Sequence, residues 1–161
     1  MQKNETQIVI KPATLADAEI ILKIQKHAYM EEAVFYNYFD IPPLTQTLEE
    51  TIEEFKAQTV LKATLNGKII GSVRGYMEDG TCYVGKMMVD PDYQNRGIGT
   101  QLLYAIEQLF PEAHRFELFT GYKSQRNLHL YQKQGYTVFK TVPVSDDVSL
   151  SFLEKAGPNV S

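Results

Sequence analysis

The stretch from Val89 to Thr100 restricts the fold more than any other part of the chain. It reads Val-Asp-Pro-Asp-Tyr-Gln-Asn-Arg-Gly-Ile-Gly-Thr. Strand-forming residues run up to Val89. Asp90-Pro91 ends them, because proline has no amide to give to a sheet ladder. After Gln94-Asn95-Arg96-Gly97, apolar residues recur at helical spacing: Ile98, Leu102, Leu103, Ile106, Leu109 and Phe110. A strand that passes through a glycine-bearing loop into an amphipathic helix returns to its sheet by a crossover. The next strand, residues 115–121, is therefore expected beside it and parallel. The turn also aims unpaired helix-start N–H groups, at the positive end of the helix dipole, toward one point, which suits an anion such as a phosphate. Gly97 and Gly99 are expected to let a ligand approach the backbone, since a side chain there would stand in between. The stretch has neither the Lys-Ser/Thr ending of an ATP-binding P-loop nor the full Gly-x-Gly-x-x-Gly of a dinucleotide site.

The rest of the chain supplies the elements this unit needs. Residues 7–11 read as a strand ended by Pro12. Thr14, with Asp17 in a capping-box position, opens a helix that presents Ala18, Ile21, Leu22, Gln25, Ala28 and Tyr29 and runs to about Glu32. Residues 31–46 are crowded with aromatics (Phe35, Tyr36, Tyr38, Phe39) and broken by Pro42-Pro43. This reads as an irregular segment that walls a pocket or covers the core. Thr47-x-x-Glu50 caps a second helix. Strands at 59–65, 68–77 and 81–89, joined by Asn66-Gly67 and by Glu78-Asp79-Gly80, form an antiparallel meander. Beyond the crossover strand, Ser124 caps a helix to Gln134, closed by Gly135, and strands follow at 136–142 and 148–153. The order β-α-α-β-β-β-α-β-α-β-β implies an α/β fold, one mixed sheet with helices on both faces.

A length of 161 residues suits one domain spanning residues 1–161, with one core. The net charge of −4 and the absence of a basic stripe argue against nucleic-acid binding. No apolar run is long enough for a membrane span, and residues 1–5 do not lead into a signal peptide. Cys82 is the sole cysteine, which excludes an internal disulfide and fits a reducing, cytoplasmic setting. It reads as a small buried residue rather than a nucleophile. His27, His114 and His129 have no ligand spacing, so no metal site is expected.

Two stretches together carry a family resemblance. Val89-x-Pro91 followed by Gln94-x-x-Gly97-x-Gly99 resembles the acetyl-CoA pyrophosphate loop of the GCN5-related N-acetyltransferases (GNAT family). Asn127, then Tyr131 one helical turn later, then Gly135-Tyr136, matches a second pattern of that family. The resemblance implies a GNAT-like fold and acetyl-CoA as acyl donor. It implies that the backbone of Met87, Met88 and Val89 bonds the pantetheine arm. Gln94, Asn95, Arg96, Gly97, Ile98, Gly99 and Thr100 would hold the pyrophosphate. Asn127 would steady the cofactor, and Tyr131 would act as general acid for the departing thiolate. Direct transfer to a primary amine of a small molecule or peptide follows, and family members often form homodimers.

The chemistry then asks for a base. An alkyl amine with a reference pKa near ~10.4 is neutral in only about one molecule in a few thousand at pH 7. In histone-type members a glutamate on the fourth strand removes the proton, and that position here is Tyr83. On strand parity Tyr83 shares a face with Gly85, Met87 and Val89. Glu31, Glu32 and Glu78 are the carboxylates that stand in for the missing glutamate, Glu31 and Glu32 first, because they lie where the first helix meets the aromatic segment. The backbone N–H of Val89 or Met88 is the expected oxyanion donor. The missing glutamate also leaves open a catalytically weak acyl-CoA sensor or partner module, and the loop alone leaves open a nucleotide-binding protein.

Overall fold

The computed structural model describes residues 7–158; the stretch 1–5 considered for a signal peptide lies outside the described residues. Among the described residues, seven strands form one sheet in the order β1-β2-β3-β4-β5-β7-β6. They are β1 (Ile8–Pro12), β2 (Thr59–Leu65), β3 (Lys68–Glu78), β4 (Thr81–Val89), β5 (Arg115–Gly121), β6 (Thr137–Pro143) and β7 (Ser149–Ala156). Only β4 and β5 run parallel, as the crossover requires; every other pairing is antiparallel. Both hairpin turns of the meander put two consecutive residues at positive φ: Asn66 (53°) with Gly67 (80°), and Asp79 (52°) with Gly80 (82°). This is the backbone a type I′ turn demands.

Helices cover both faces. Helix α4 (Ile98–Gln108) buries Ile98, Leu102, Leu103 and Ile106 against one face, where they meet Ala63, Ile70, Val73, Cys82, Val84, Phe116 and Leu118. Helix α5 (Gln125–Lys133) joins that layer through Tyr131. On the opposite face lie α1 (Ala18–Tyr36), the one-turn α2 (Pro42–Thr45) and α3 (Leu48–Ala57). Ala18, Ile21 and Phe55 pack there on Val60, Ile69 and Met88. The expected cap of α3 is present: Thr47 Oγ1 accepts from Glu50 N (3.1 Å) while Glu50 accepts from Thr47 N (2.9 Å).

Two expectations are corrected. The first helix does not stop near Glu32. It continues to Tyr36 and ends on Asn37, whose left-handed conformation (φ 53°) turns the chain out of the helix. Residues 31–36 of the aromatic segment are therefore helical, and Pro42-Pro43 begins α2, at the helix start where proline's missing N–H costs nothing. The second correction concerns β4. Ser72 lies opposite Met88 and Arg74 opposite Gly85, so Lys86 and Met87 together oppose the single Val73. This β-bulge breaks side-chain alternation. Before it, Cys82 and Val84 face α4; after it, Met87 and Val89 do, and Met88 faces α1. Tyr83 thus lies on the face opposite Met87 and Val89.

Candidate active site

Strands β4 and β5 are paired only at their beginnings. Thr81, Cys82 and Tyr83 lie opposite Arg115, Phe116 and Glu117, and the ladder stops there. Beyond it, β4 continues to Val89 and β5 to Gly121, leaving a gap between them. On the other side of β4, Asp90 N donates to Ile70 O (2.8 Å) and Met88 lies opposite Ser72. Successive residues turn their backbone groups to opposite sides of a strand. Met87 and Val89 therefore turn theirs to the gap, while Met88 pairs with β3. In keeping with this, the Tyr29 hydroxyl donates to Met87 O at 3.3 Å.

The open end of the gap meets the start of α4. Gly97 is left-handed (φ 78°, ψ 9°), and Asn95 is too (φ 66°). The first backbone bond of the helix runs from Gln101 N to Gly97 O, 3.1 Å, so the N–H groups of Ile98, Gly99 and Thr100 have no acceptor within it. Left-handed residues on either side of Arg96 shape a concave run of amides, a form that takes anions, and Asn95, Arg96 and Gly97 are exposed. The two glycines serve different ends. A Cβ on Gly97 would meet nothing within 4 Å, so its need is conformational; one on Gly99 would lie 3.1 Å from Leu130 Cδ1 and 3.6 Å from Met87 Cε. Gly99 thus keeps room for the packing of Leu130 and Met87. The Arg96 guanidinium lies 5.3 Å from the Tyr93 ring centre, beside the loop. Gln94 bonds back to Val89 O (3.5 Å) and accepts a hydrogen bond from Arg126. Arg126 is a cation at this end of the gap that motif reading passed over; its place just before Asn127, on the first turn of α5, was the available signal.

Tyr131, Tyr29 and Glu32 converge on the gap from α5 and α1. Tyr131 is buried, and Asn127, one turn earlier, donates to Thr120 Oγ1 (3.1 Å) and so ties α5 to β5. Burial, and next the negative charge of Glu32, push the Tyr131 phenol well above the usual tyrosine range. Burial, followed by the Tyr131 and Glu32 charges, does the same for Tyr29 against the opposing charge of Arg74. Glu32 is itself raised above the usual carboxylate range by burial, opposed by a hydrogen bond from the Gly121 backbone. The loop after β5 closes this corner: Lys123 N donates to the Tyr36 hydroxyl at 2.8 Å, and a Cβ on Gly121 would collide with that ring. Burial also raises Tyr36.

The other candidates fall elsewhere. Glu31 is exposed, since one residue along a helix is a turn of about 100° away from Glu32. Glu78 is exposed at its hairpin. Tyr83 stacks on Tyr76 at 5.3 Å, on the α1 side of the sheet at the closed end of the gap. His27, His114 and His129 are exposed. Cys82 is fully buried, and burial, with Glu107 and Glu112, pushes its thiol up to about 12. Tyr136 is structural: its hydroxyl donates to Glu107 at 2.7 Å, and Lys155 bonds the same carboxylate at 2.8 Å.

Beneath α1 and α3 lies a polar network that no motif announces. Arg74, fully buried on β3, donates to Glu54 and, at 3.0 Å, to Gln25. Gln25 also donates to Pro43 O (2.8 Å) and Gln46 (2.9 Å), and Gln46 donates to Glu54 (3.1 Å). Lys86 Nζ, at the bulge, bonds both Glu54 oxygens at 2.9 Å. Burial alone would raise Glu54, but Lys86 and Arg74 outweigh it and hold the carboxyl below its usual range. Lys86 itself sits at φ 46°, a conformation that costs a side-chain-bearing residue about 1–2 kcal/mol.

Comparison with known proteins agrees with this geometry. A family model described as "Acetyltransferase (GNAT) family" matches residues 22–136. Two Bacillus subtilis (strain 168) proteins are similar in sequence. UPF0157 protein YqkA is 27% identical over 143 residues, 88% of this chain and 40% of that protein. YdhI is 31% identical over 80 residues, 48% of this chain and 49% of that protein. The chain thus spans less than half the length of these curated relatives. Among solved structures, the PaiA N-acetyltransferase of Thermoplasma acidophilum in complex with coenzyme A superposes with a TM-score of 0.81 at 15% identity, covering 94% of this chain and 99% of that one. The ribosomal-protein-alanine N-acetyltransferase of Brucella melitensis gives 0.73 at 22% identity, covering 92% and 99%. With more than two thirds of its length inside the family model, and the splayed strands and glycine loop in place, the chain belongs to the GNAT acetyltransferase family.

Proposed function

We propose that this chain moves an acetyl group from acetyl-CoA directly to a primary amine of a small molecule or peptide. One observation carries the reading: a helix start shaped for an anion, gap-facing strand backbone, a buried tyrosine and a raised carboxylate all meet where β4 and β5 part. Acetyl-CoA would supply the thioester and the anionic pyrophosphate. The amides from Asn95 to Thr100, with Gln94, Arg96 and Arg126 beside them, suit that pyrophosphate; Met87 and Val89 offer backbone partners to an extended arm, and Asn127 braces α5 alongside. Met88 serves by fixing the strand edge.

Glu32 is the favoured base. Its raised pKa brings its basicity closer to neutral pH, where a general base works best. It takes a proton from the ammonium, directly or through water, and the freed nitrogen lone pair forms the new C–N bond. Val89 N–H, turned to the gap, stabilises the negative charge on the carbonyl oxygen. As the C–S bond breaks, its electron pair leaves on sulfur, and Tyr131, held protonated by its surroundings, donates the proton that neutralises it; the nitrogen, cationic since the C–N bond formed, releases its second proton through water, which returns Tyr131 to the phenol. Tyr83 and the exposed Glu31 are left to acceptor positioning.

The test is thiol release from acetyl-CoA across polyamines, amino acids, aminoglycosides and peptide N-termini, with Tyr131→Phe beside the parent. Amine-dependent release that falls at least tenfold in the variant, with unchanged CoA affinity, supports the assignment. CoA binding with no release by any amine favours an acyl-CoA sensor. A protein that does not bind CoA overturns the reading.

A further inference from the structure

The polar network under α1 and α3 does more than fill space, because one end of it grips the β4 bulge. Lys86 is the extra residue of that bulge and is left-handed without being glycine. A left-handed bulge residue is ordinarily glycine, which adopts positive φ without steric penalty. At Lys86 the conformation must be held from outside. The holder is visible: both oxygens of Glu54 bond Lys86 Nζ at 2.9 Å. Glu54 is itself fixed by the fully buried Arg74 and by Gln46, so the grip is anchored to α1, α3 and β3 at once.

Met87, the second residue of the bulge, and Val89 just beyond it are those whose backbone faces the gap. We propose that Glu54 is a positioning residue: by clamping Lys86 in the left-handed conformation it fixes the direction of the Met87–Val89 backbone that the acyl donor meets. This rests on the acyl-transfer reading above, but the clamp can be tested apart from it.

Two substitutions at position 86 separate the possibilities while leaving the Arg74–Glu54 pair intact. Lys86→Ala loses the clamp and keeps the left-handed penalty. Lys86→Gly loses the clamp but holds the conformation at little cost. Expected is a kcat for thiol release about tenfold lower in Lys86→Ala and within about threefold of the parent in Lys86→Gly. Likewise, Glu54→Gln should lower kcat about tenfold in the parent and less than threefold on the Lys86→Gly background. If Glu54→Gln fails to fold, the position-86 variants still decide. Equal loss in Lys86→Ala and Lys86→Gly would mean the ammonium acts directly, and parent-like rates in both would mean no clamp; either overturns the proposal.

A readout independent of turnover comes from [15N]methionine labelling, which marks only five residues, Met88 among them. The Met88 signal should move in Lys86→Ala and stay in place in Lys86→Gly. An inactive parent that shows this pattern sinks the transferase reading and leaves the clamp standing; displacement of Met88 in both variants, or in neither, sinks the clamp.

Discussion

Replacing Gly97 and Gly99 by alanine, one at a time, should give opposite results. At Gly97 the backbone is left-handed (φ 78°) and the added methyl would meet nothing within 4 Å. The whole cost is conformational, about 1–2 kcal/mol. It falls on the loop rather than on the core, so it should emerge mainly as lost ligand affinity: roughly a 5- to 30-fold weaker Kd for CoA. Gly99 lies inside the first turn of α4 with no such strain. There the methyl would sit 3.1 Å from Leu130 Cδ1, the mobile end of a side chain, so a shift of a few tenths of an ångström admits it. Alanine also favours helix over glycine by up to about 1 kcal/mol. Gly99→Ala should therefore keep Tm within about 3 °C of the parent and CoA affinity within about threefold. Calorimetric titration with CoA, with thermal unfolding of the same samples, reads both quantities. If Gly97→Ala binds like the parent while Gly99→Ala loses CoA, the loop does not need its left-handed turn and the division of roles argued from the geometry is wrong.

Glu32→Gln should abolish the acid limb of the pH–rate profile. In the parent, turnover falls as pH drops through the pKa of Glu32, which burial raises above the usual carboxylate range; a midpoint unmoved in the variant would remove Glu32 as base. The stability linkage has the opposite sign. The folded state holds this proton more tightly than the unfolded chain, so ionisation costs stability as pH rises through the same window, and Glu32→Gln should melt no lower than the parent at pH 8. Arg74→Met breaks a buried ion pair and should cost about 3 kcal/mol, a fall in Tm on the order of 10 °C; a parent-like Tm would show the network to be dispensable. Arg126→Ala should weaken CoA binding several-fold, with a shallower salt dependence of Kd than the parent; an unchanged salt dependence would place Arg126 outside the anion site.

What the sequence made legible was whatever is dictated locally. Asn66-Gly67 and Asp79-Gly80 announce their turns because only a few residues tolerate two consecutive positive φ angles. The loop at Gln94–Thr100 announces a helix start because proline, glycine and then an apolar period of 3.6 leave little else. The bulge at Lys86 carried no such mark. A lysine there looks like any strand residue, and what stabilises its conformation comes from Glu54, which is far away in sequence. Counting alternation through the bulge put Tyr83 on the wrong face. The Arg74 network was hidden for the same reason: its members come from α1, the α2–α3 turn, α3, β3 and β4, and none says in isolation that it is buried.

Helix α1 shows how a site can continue a core without a new element. Ala18, Ile21, Gln25, Tyr29, Glu32 and Tyr36 recur at spacings of three or four and so form one stripe. Its first members, Ala18 and Ile21, are apolar because they pack on paired strands and need no polar partner. From Gln25 onward the stripe turns polar, as the helix passes over the buried guanidinium of Arg74, the outward carbonyl of Met87 and the edge of the gap, where unpaired backbone groups must be answered. Aromatic crowding after Glu31 suggested an irregular segment, yet the stripe keeps its period to Tyr36, and that period singles out Glu32 over Glu31. Periodicity would have been the better guide, because a helix must present one face to the sheet for as long as it runs beside it, whether the sheet there is closed or open.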